Sequence, residues 1–508
     1  MSIKSKTAKK IGLITAISIF VSSLIGIGIF FKNNTVFKEN NGNPYGVLIS
    51  WIVASIISLL TAFSFAEVGF NHRNGAGLGG ATERMYGKKA GRFISLNNAF
   101  FYWGILNLSL AIFAAESLVK LFYINQENIP LEFHMAYVML IALALLFIFV
   151  IFNYWSMKWS GRFQVISTVI KFIPLIMVGM AGIIYGSIHT NLTLFDPSNA
   201  NNSFNQISIE GILGSIPSIL FAYDSFVGVA SLKGELKNPE RNVPLTIILG
   251  MGICVLFYIF ITIGQIMVSQ GIAQNVFNTI FENNLALKNA FTIIMSVFIF
   301  VCVLGTLNAL CIVGLRVFTF SVEYRIISGY WWLNKYVDGT NKPGLLLSFI
   351  IYGFWWVALL IPSTIMNSDM IVDGVSNFPT LFMFAVYATL ILKAWINRFT
   401  KKIHTDKMPG FVWIAPIAVF GCYLAFGYQF FWNFSTRIFL GLAGKISLDP
   451  YPWGLFVRAT GIEPIYAAIV FFVMLIIFIT FPFVNDCLIK LKYKKNNVNK
   501  KLFKELII

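Results

Sequence analysis

Charge is what this chain of 508 residues has least of. Asp, Glu, Lys and Arg together make up 12% of it, against 57% hydrophobic residues, and the mean hydropathy is +0.76. A soluble globular domain carries roughly twice that charged fraction, so that class is excluded. Alternation at period two is missing from the apolar runs, which excludes a membrane β-barrel. Cysteine is also sparse. Cys254, Cys302, Cys311, Cys422 and Cys487 fall in or at the ends of apolar segments, without the spacing of a metal site. They read as small core residues rather than a disulfide framework, and no metal is expected. There is no G-x-x-x-x-G-K loop, no H-E-x-x-H and no G-x-S-x-G, so nothing points to ATP hydrolysis, a catalytic residue or a cofactor. A channel-type filter motif is absent as well.

What the chain has instead is a succession of apolar runs of about 20 residues, each long enough to cross a bilayer. They predict an all-α membrane protein with twelve spans: 11–31, 45–68, 93–124, 134–152, 163–186, 211–232, 243–269, 286–320, 344–361, 374–397, 410–430 and 464–489. The first is too long for a signal peptide and no cleavage pattern follows it. The third and eighth exceed a perpendicular crossing, which implies tilt. No soluble domain fits between the spans, so 1–508 reads as one membrane domain ending in a basic tail, 490–508.

Charge orients this arrangement. With both termini cytoplasmic and residues near span ends counted with the nearer side, 30 of the 38 Lys and Arg fall on the inner side, seven fall outside, and Lys171 alone lies midway along a span. The positive-inside rule requires such a bias, so count and orientation support each other. The net charge of +17 is thereby accounted for. A nucleic-acid partner is not needed, because the basic residues are spread over the loops facing the cytoplasm. The lipid bilayer of the cell membrane is the expected surrounding.

Two of the spans are weakened near their middle. The first contains SSLIGIGIFF, Ser22 to Phe31, with Gly26 and Gly28 where a helix should be most regular. Glycine costs a helix interior about 1 kcal/mol relative to alanine. The sixth contains SIPSILFAYDSF, Ser215 to Phe226, with Pro217 in the helix and Asp224 in the apolar region. A lone Gly-x-Gly more often serves close packing. Interrupted helices in corresponding positions of two halves instead mark a transporter built from inverted repeats. The halves are 11–186 and 211–397, helices 1–5 and 6–10, with helices 11 and 12 (410–489) added. Amides freed at one break can hold an anionic group, and carbonyls freed at the other can hold a cation. A free amino acid carries both on adjacent atoms.

These stretches resemble a known family. Gly26-Ile27-Gly28-Ile29-Phe30 is similar to the G-[S/A]-G-I-F of helix 1 in the amino acid–polyamine–organocation permeases, which share the leucine-transporter fold. Phe221-Ala222-Tyr223-Asp224-Ser225-Phe226 resembles their F-A-Y-x-G-F in helix 6. GELKNPERNVP, Gly234 to Pro244, is similar to the E-x-K-N-P-x-R-x-x-P that follows. Phe65-Ala66-Glu67-Val68, Gly79-Gly80 and Tyr86 resemble the family's F-A-E-L…G-G…Y, and Asn308 and Arg316 fit its N-A-x(5–6)-R loosely. The resemblance covers about residues 10–400. It implies a secondary amino-acid permease working by alternating access, with a polyamine or other organic cation as the alternative cargo. The implied substrate site comprises Ser23, Gly26, Ile27 and Gly28 in helix 1, and Phe221, Ala222, Tyr223, Asp224 and Ser225 in helix 6. Ile27 and Ser225 depart from the pattern, putting more side chain beside the substrate, and a small pocket would follow.

Four further groups carry competing readings. Lys171, half-way along the fifth span, either snorkels or faces a cavity. In proton-coupled members of the family a helix 5 lysine replaces the sodium ion of other relatives, so the resemblance makes Lys171 a proton-coupling candidate, with protons as a second partner. Asp224 either pairs with a basic substrate or holds the structure by hydrogen bonds. Glu116, nearer the outer end of the third span, is explained by hydration. Glu235, Lys237 and Arg241 are positive-inside loop residues or an inner gate, with Pro239 and Pro244 ending one helix and starting the next.

Overall fold

The computed structural model describes residues 12–26, 28–68, 77–123, 134–189, 204–224, 226, 237–269, 271–336, 341–367, 369–401, 403, 407–436, 439, 443 and 464–495. These residues hold helices and no strands. Ten of the helical segments among them are long and apolar enough to cross a membrane.

The first expected span is two helices. α1 (Leu13–Leu24) stops where the Ile25 amide closes its last turn on Val21, and α2 (Gly28–Glu39) starts afresh. α2 runs well beyond residue 31, where hydropathy placed the end of the span. The buried Lys32, Asn33 and Asn34, expected outside the membrane region, belong to its interior. α3 (Pro44–Val68) follows, then a short α4 (Leu78–Tyr86). α5 (Lys88–Asn97) passes through a π-helical turn, Asn98–Trp103, into α6 (Gly104–Phe122). Next come α7 (Met135–Trp155), α8 (Met157–Ile188) and the short α9 (Ile209–Tyr223). α9 ends at Asp224, inside the expected sixth span.

α10 (Pro239–Val268) begins with proline in its first turn, after Asn238 in the left-handed region. α11 (Ala273–Ile280) is a short helix before α12 (Leu285–Glu323), and α13 (Tyr330–Leu333) leads towards α14 (Lys342–Met366). α15 (Met370–Thr400), α16 (Phe411–Gly427) and α17 (Pro464–Lys495) complete the set. The expected spans therefore match these helices to within a few residues, except at the first and sixth.

Burial separates centre from rim. In their most apolar stretches the 88–122 and 371–400 segments are 78% buried, against 22% for Phe472–Lys492. α5–α6 and α15 thus sit in the bundle interior, and α17 at its edge. α2 and α3 pack on α9, and α1 packs on α10, so the two interrupted segments meet at the centre. α8 and α10 cross where glycines face each other: a Cβ added to Gly182 would lie 2.2 Å from the Gly264 carbonyl oxygen. Small residues allow such close crossings in membrane bundles.

At one end of the bundle, Arg398 in α15 donates from Nε and Nη2 to Glu67 Oε1 and Oε2 at 2.6 and 2.7 Å. The Met408 amide donates to the same carboxylate at 2.9 Å. Glu67 is fully buried, and this bidentate pair locks the ends of α3 and α15 to the entry of α16. Arg92 donates to Asp486 at 2.8 Å and fastens α5 to α17.

Candidate functional site

The breaks after α1 and α9 face each other across a cavity of ≈ 30 Å³. That is space for roughly one water molecule, so the walls stand close together. From α1 and α2 the lining comes from Leu24, Gly26 and Gly28, and from α9 it comes from Phe221, Ala222 and Asp224. The other wall is apolar: Leu106 and Leu110 of α6, and Leu310 of α12. Thr306 of α12 completes it with one hydroxyl, which donates to the Cys302 carbonyl.

The breaks touch directly. A Cβ on Gly28 would lie 2.7 Å from both Cα and Cβ of Ala222, so only glycine fits there. At Gly26 the nearest atoms are the Thr306 side chain at 3.0 and 3.1 Å, a milder constraint. Tyr258 of α10, fully buried, links both breaks. Its hydroxyl donates to the Leu24 carbonyl at 2.8 Å and lies 3.3 Å from that of Ala222. α2 starts at the cavity wall, where first-turn amides have no partner within the helix. α9 ends at the same wall, where its last-turn carbonyls have no onward turn of helix to bond. One side therefore favours an anion and the other a cation.

Asp224 caps α9 and is buried. Thr380 of α15 donates to its Oδ2 at 2.8 Å, while Oδ1 has no hydrogen bond among the described residues. Tyr102, from the π-turn of α5–α6, is a second hydrogen-bonding neighbour of the carboxyl group. An unpaired carboxylate oxygen at a cavity wall is costly unless a ligand meets it.

Of the residues singled out in the sequence, Gly26, Gly28, Phe221, Ala222 and Asp224 are brought together around this cavity. Tyr223 is not on the wall: its hydroxyl is engaged with Ser55 Oγ at 2.8 Å. Ser23 lies in the last turn of α1. Ile27, Ser225 and Glu235 lie outside the described residues. Lys237 and Arg241 are exposed at the start of α10. Lys171 is buried on α8, its chain against Gly305 of α12, next to the cavity residue Thr306.

Hydropathy missed a second polar group, above Phe221. Lys32 of α2 is fully buried, with Nζ 2.5 Å from Asp373 Oδ1 of α15, 3.1 Å from the Asp373 carbonyl and 2.8 Å from Ser376 Oγ. The same ammonium stands 4.6 Å from the centroid of the Phe221 ring, which lines the cavity. Beside it Asn33 accepts from Trp51 Nε1 at 2.8 Å and donates to Gln265. Glu116, expected to be hydrated, is instead fully buried. The polar run Lys32-Asn33-Asn34-Thr35 reads as a loop. The signal against that reading is the helical spacing of Ile29, Val36 and Phe37, all buried on α2.

A bundle of apolar helices around a central cavity, flanked by two opposed helix breaks, defines a membrane carrier for a small solute. The amino acid permease family profile matches residues 11–438, and the chain belongs to that family. It is a multi-pass membrane transporter and not an enzyme. Among similar proteins, a serine/threonine exchanger of Bacillus subtilis is 25% identical over 448 residues, 86% of this chain and 95% of that protein. The b(0,+)-type amino acid transporter 1 of Mus musculus is 24% identical over 435 residues, 81% of each chain. An aspartate-proton symporter of Bacillus subtilis is 25% identical over 250 residues, 48% of this chain and 46% of that one.

Proposed function

We propose that this transporter carries free amino acids across the cell membrane by alternating access, coupled to protons or to exchange. Twelve helices with both termini cytoplasmic would comprise two inverted five-helix repeats and two additional helices. The supporting observation is the pair of breaks that abut at Gly28 and Ala222 around one cavity. The substrate carboxylate meets the first amides of α2, and its ammonium meets the last carbonyls of α9 and Asp224 Oδ1. Four leucines and a phenylalanine around it suit a small or apolar side chain. The relatives' names, a serine/threonine exchanger and an aspartate-proton symporter among them, agree with the cargo and leave its coupling open.

The unpaired Asp224 oxygen also favours a second reading, an organic cation or polyamine as cargo. Asp224→Asn separates the two. A lost preference for lysine, arginine or polyamines with neutral amino acids spared assigns Asp224 to a cationic side chain. An equal loss of all substrates, the result expected from its place at the end of α9, assigns it to the shared ammonium.

Lys171 is the coupling candidate. A buried ammonium beside the Gly305–Thr306 wall would repel sodium and could exchange its proton as the site faces one side, then the other. Lys171→Ala is expected to abolish accumulation driven by a pH gradient while counterflow of labelled substrate persists. Unchanged gradient-driven accumulation in that variant, or a strict sodium requirement in the native protein, would count against it.

A further inference from the structure

Glu116 of α6 is fully buried, and neither carboxyl oxygen has a hydrogen-bond partner among the described residues. The mechanism above gives it no task. An ionised carboxylate in that position would forgo both water and hydrogen bonds, and such a group is among the costliest to bury. Among the described residues, the charged groups that act on it are Asp369 and Asp373 of the α15 end, Lys120 one turn along α6, and Lys32 of α2. Lys38, exposed at the end of α2, acts in turn on Asp369 and Asp373. No charged group acting on Glu116 comes from α7, α12 or α14, which pack on the other sides of α6.

Of the two cations, Lys120 acts on Glu116 the more strongly yet makes no hydrogen bond to it, and Lys32 is already committed. An ammonium has three hydrogens, and Lys32 has three acceptors: the Asp373 carboxylate, the Asp373 carbonyl and Ser376 Oγ. Lys32 also touches both sides of the question, standing 5.6 Å from the Phe113 ring on the helix of Glu116 and 4.6 Å from the Phe221 ring on the cavity wall. With α2 latched to α15, Glu116 therefore has a hydrogen bond from neither lysine.

We propose that Glu116 is a proton-binding site tied to closure of the outer side. When Lys32 latches onto Asp373, the Glu116 carboxylate takes a proton from an external hydronium ion and is buried as the neutral acid. When the latch parts, water enters and Lys32 is released. Glu116 then gives the proton back to water, and its carboxylate regains a solvated counter-charge. Acid outside consequently favours the closed latch. This rests on the orientation proposed above, with the Lys32 end of the bundle outermost, and does not depend on what the cargo is.

The test reads closure without transport. The full chain carrying Leu110→Cys, a cavity residue, is reconstituted in liposomes and labelled from outside with a membrane-impermeant maleimide at several external pH values. Glu116→Gln on the same background keeps the shape of the neutral acid, and taking the ratio of the two rates cancels the reagent's own pH dependence. Native labelling is expected to fall relative to Glu116→Gln as the external medium is acidified, by up to about tenfold per pH unit for a single proton, until the two coincide. A ratio that does not change with pH overturns the proposal. So does a change of the opposite sign. Labelling of the two proteins only from the interior would overturn the orientation on which it rests. Amino-acid uptake, measured separately, can fail or succeed without altering this result.

Discussion

Gly28→Ala is expected to lower transport by about ten- to a hundredfold, with the protein still inserted in the membrane. The added Cβ would sit 2.7 Å from the backbone and side chain of Ala222, and neither can swing aside as a flexible side chain would. Overpacking of this kind costs about 1–3 kcal/mol, and each 1.4 kcal/mol is worth a factor of about ten. The same change at Gly26 meets only the Thr306 side chain at 3.0–3.1 Å, where a few tenths of an ångström of movement relieves it. Gly26→Ala should therefore retain most activity, while a branched residue there should not. Uptake assays normalised to the amount of inserted protein check both. Normal uptake by Gly28→Ala would mean that the breaks separate without consequence.

Removing either member of the buried Lys32–Asp373 pair should produce the largest loss of stability. Lys32→Met leaves Asp373 buried beside Ser376 without its cation, and Asp373→Leu leaves an ammonium among Phe113 and Phe221. Breaking a buried pair on one side costs about 3–5 kcal/mol, because an uncompensated charge stays behind. Replacing both by apolar residues is commonly far milder. Thermal unfolding of purified protein in detergent should show each single variant well below the native protein and the double variant close to it. The double variant should nonetheless transport poorly, since α2 and α15 have lost their latch. Additive destabilisation in the double variant would show that the two residues do not act as a pair.

Most of the helix placement was legible because hydropathy reports directly on runs that face lipid or apolar neighbours, as in α7 and α12. The glycines at 26 and 28 and the 221–226 stretch were legible for a different reason. Glycine pairs and acidic residues stand out in an apolar background, and two of them at matched places outweigh one. The α2 extension was hidden by the same logic. Lys32, Asn33 and Thr35 look like loop residues in one dimension, yet each is buried against a polar partner from a distant helix: Asp373, Trp51 or Gln265. Such pairing is a property of the three-dimensional bundle. Glu116 reads as hydrated from its place near a span end, and only the packing around α6 shows it buried. The apolar wall of the cavity was invisible because Leu106, Leu110 and Leu310 look like any other leucine in a span. The polar Tyr102 and Asn107, close to those leucines in sequence, do not line the cavity. Tyr258, linking both breaks, carries no local sequence signal at all.

Whether an amino acid sits between the breaks after α1 and α9 is read from uptake into proteoliposomes. Purified protein would be offered a radiolabelled small neutral amino acid, with and without a pH gradient, in sodium-free medium, against competing amino acids and polyamines. Saturable uptake without sodium is expected, competed by other amino acids and lost in Gly28→Ala. Uptake of polyamines alone, with no amino acid transported or competing, would contradict it.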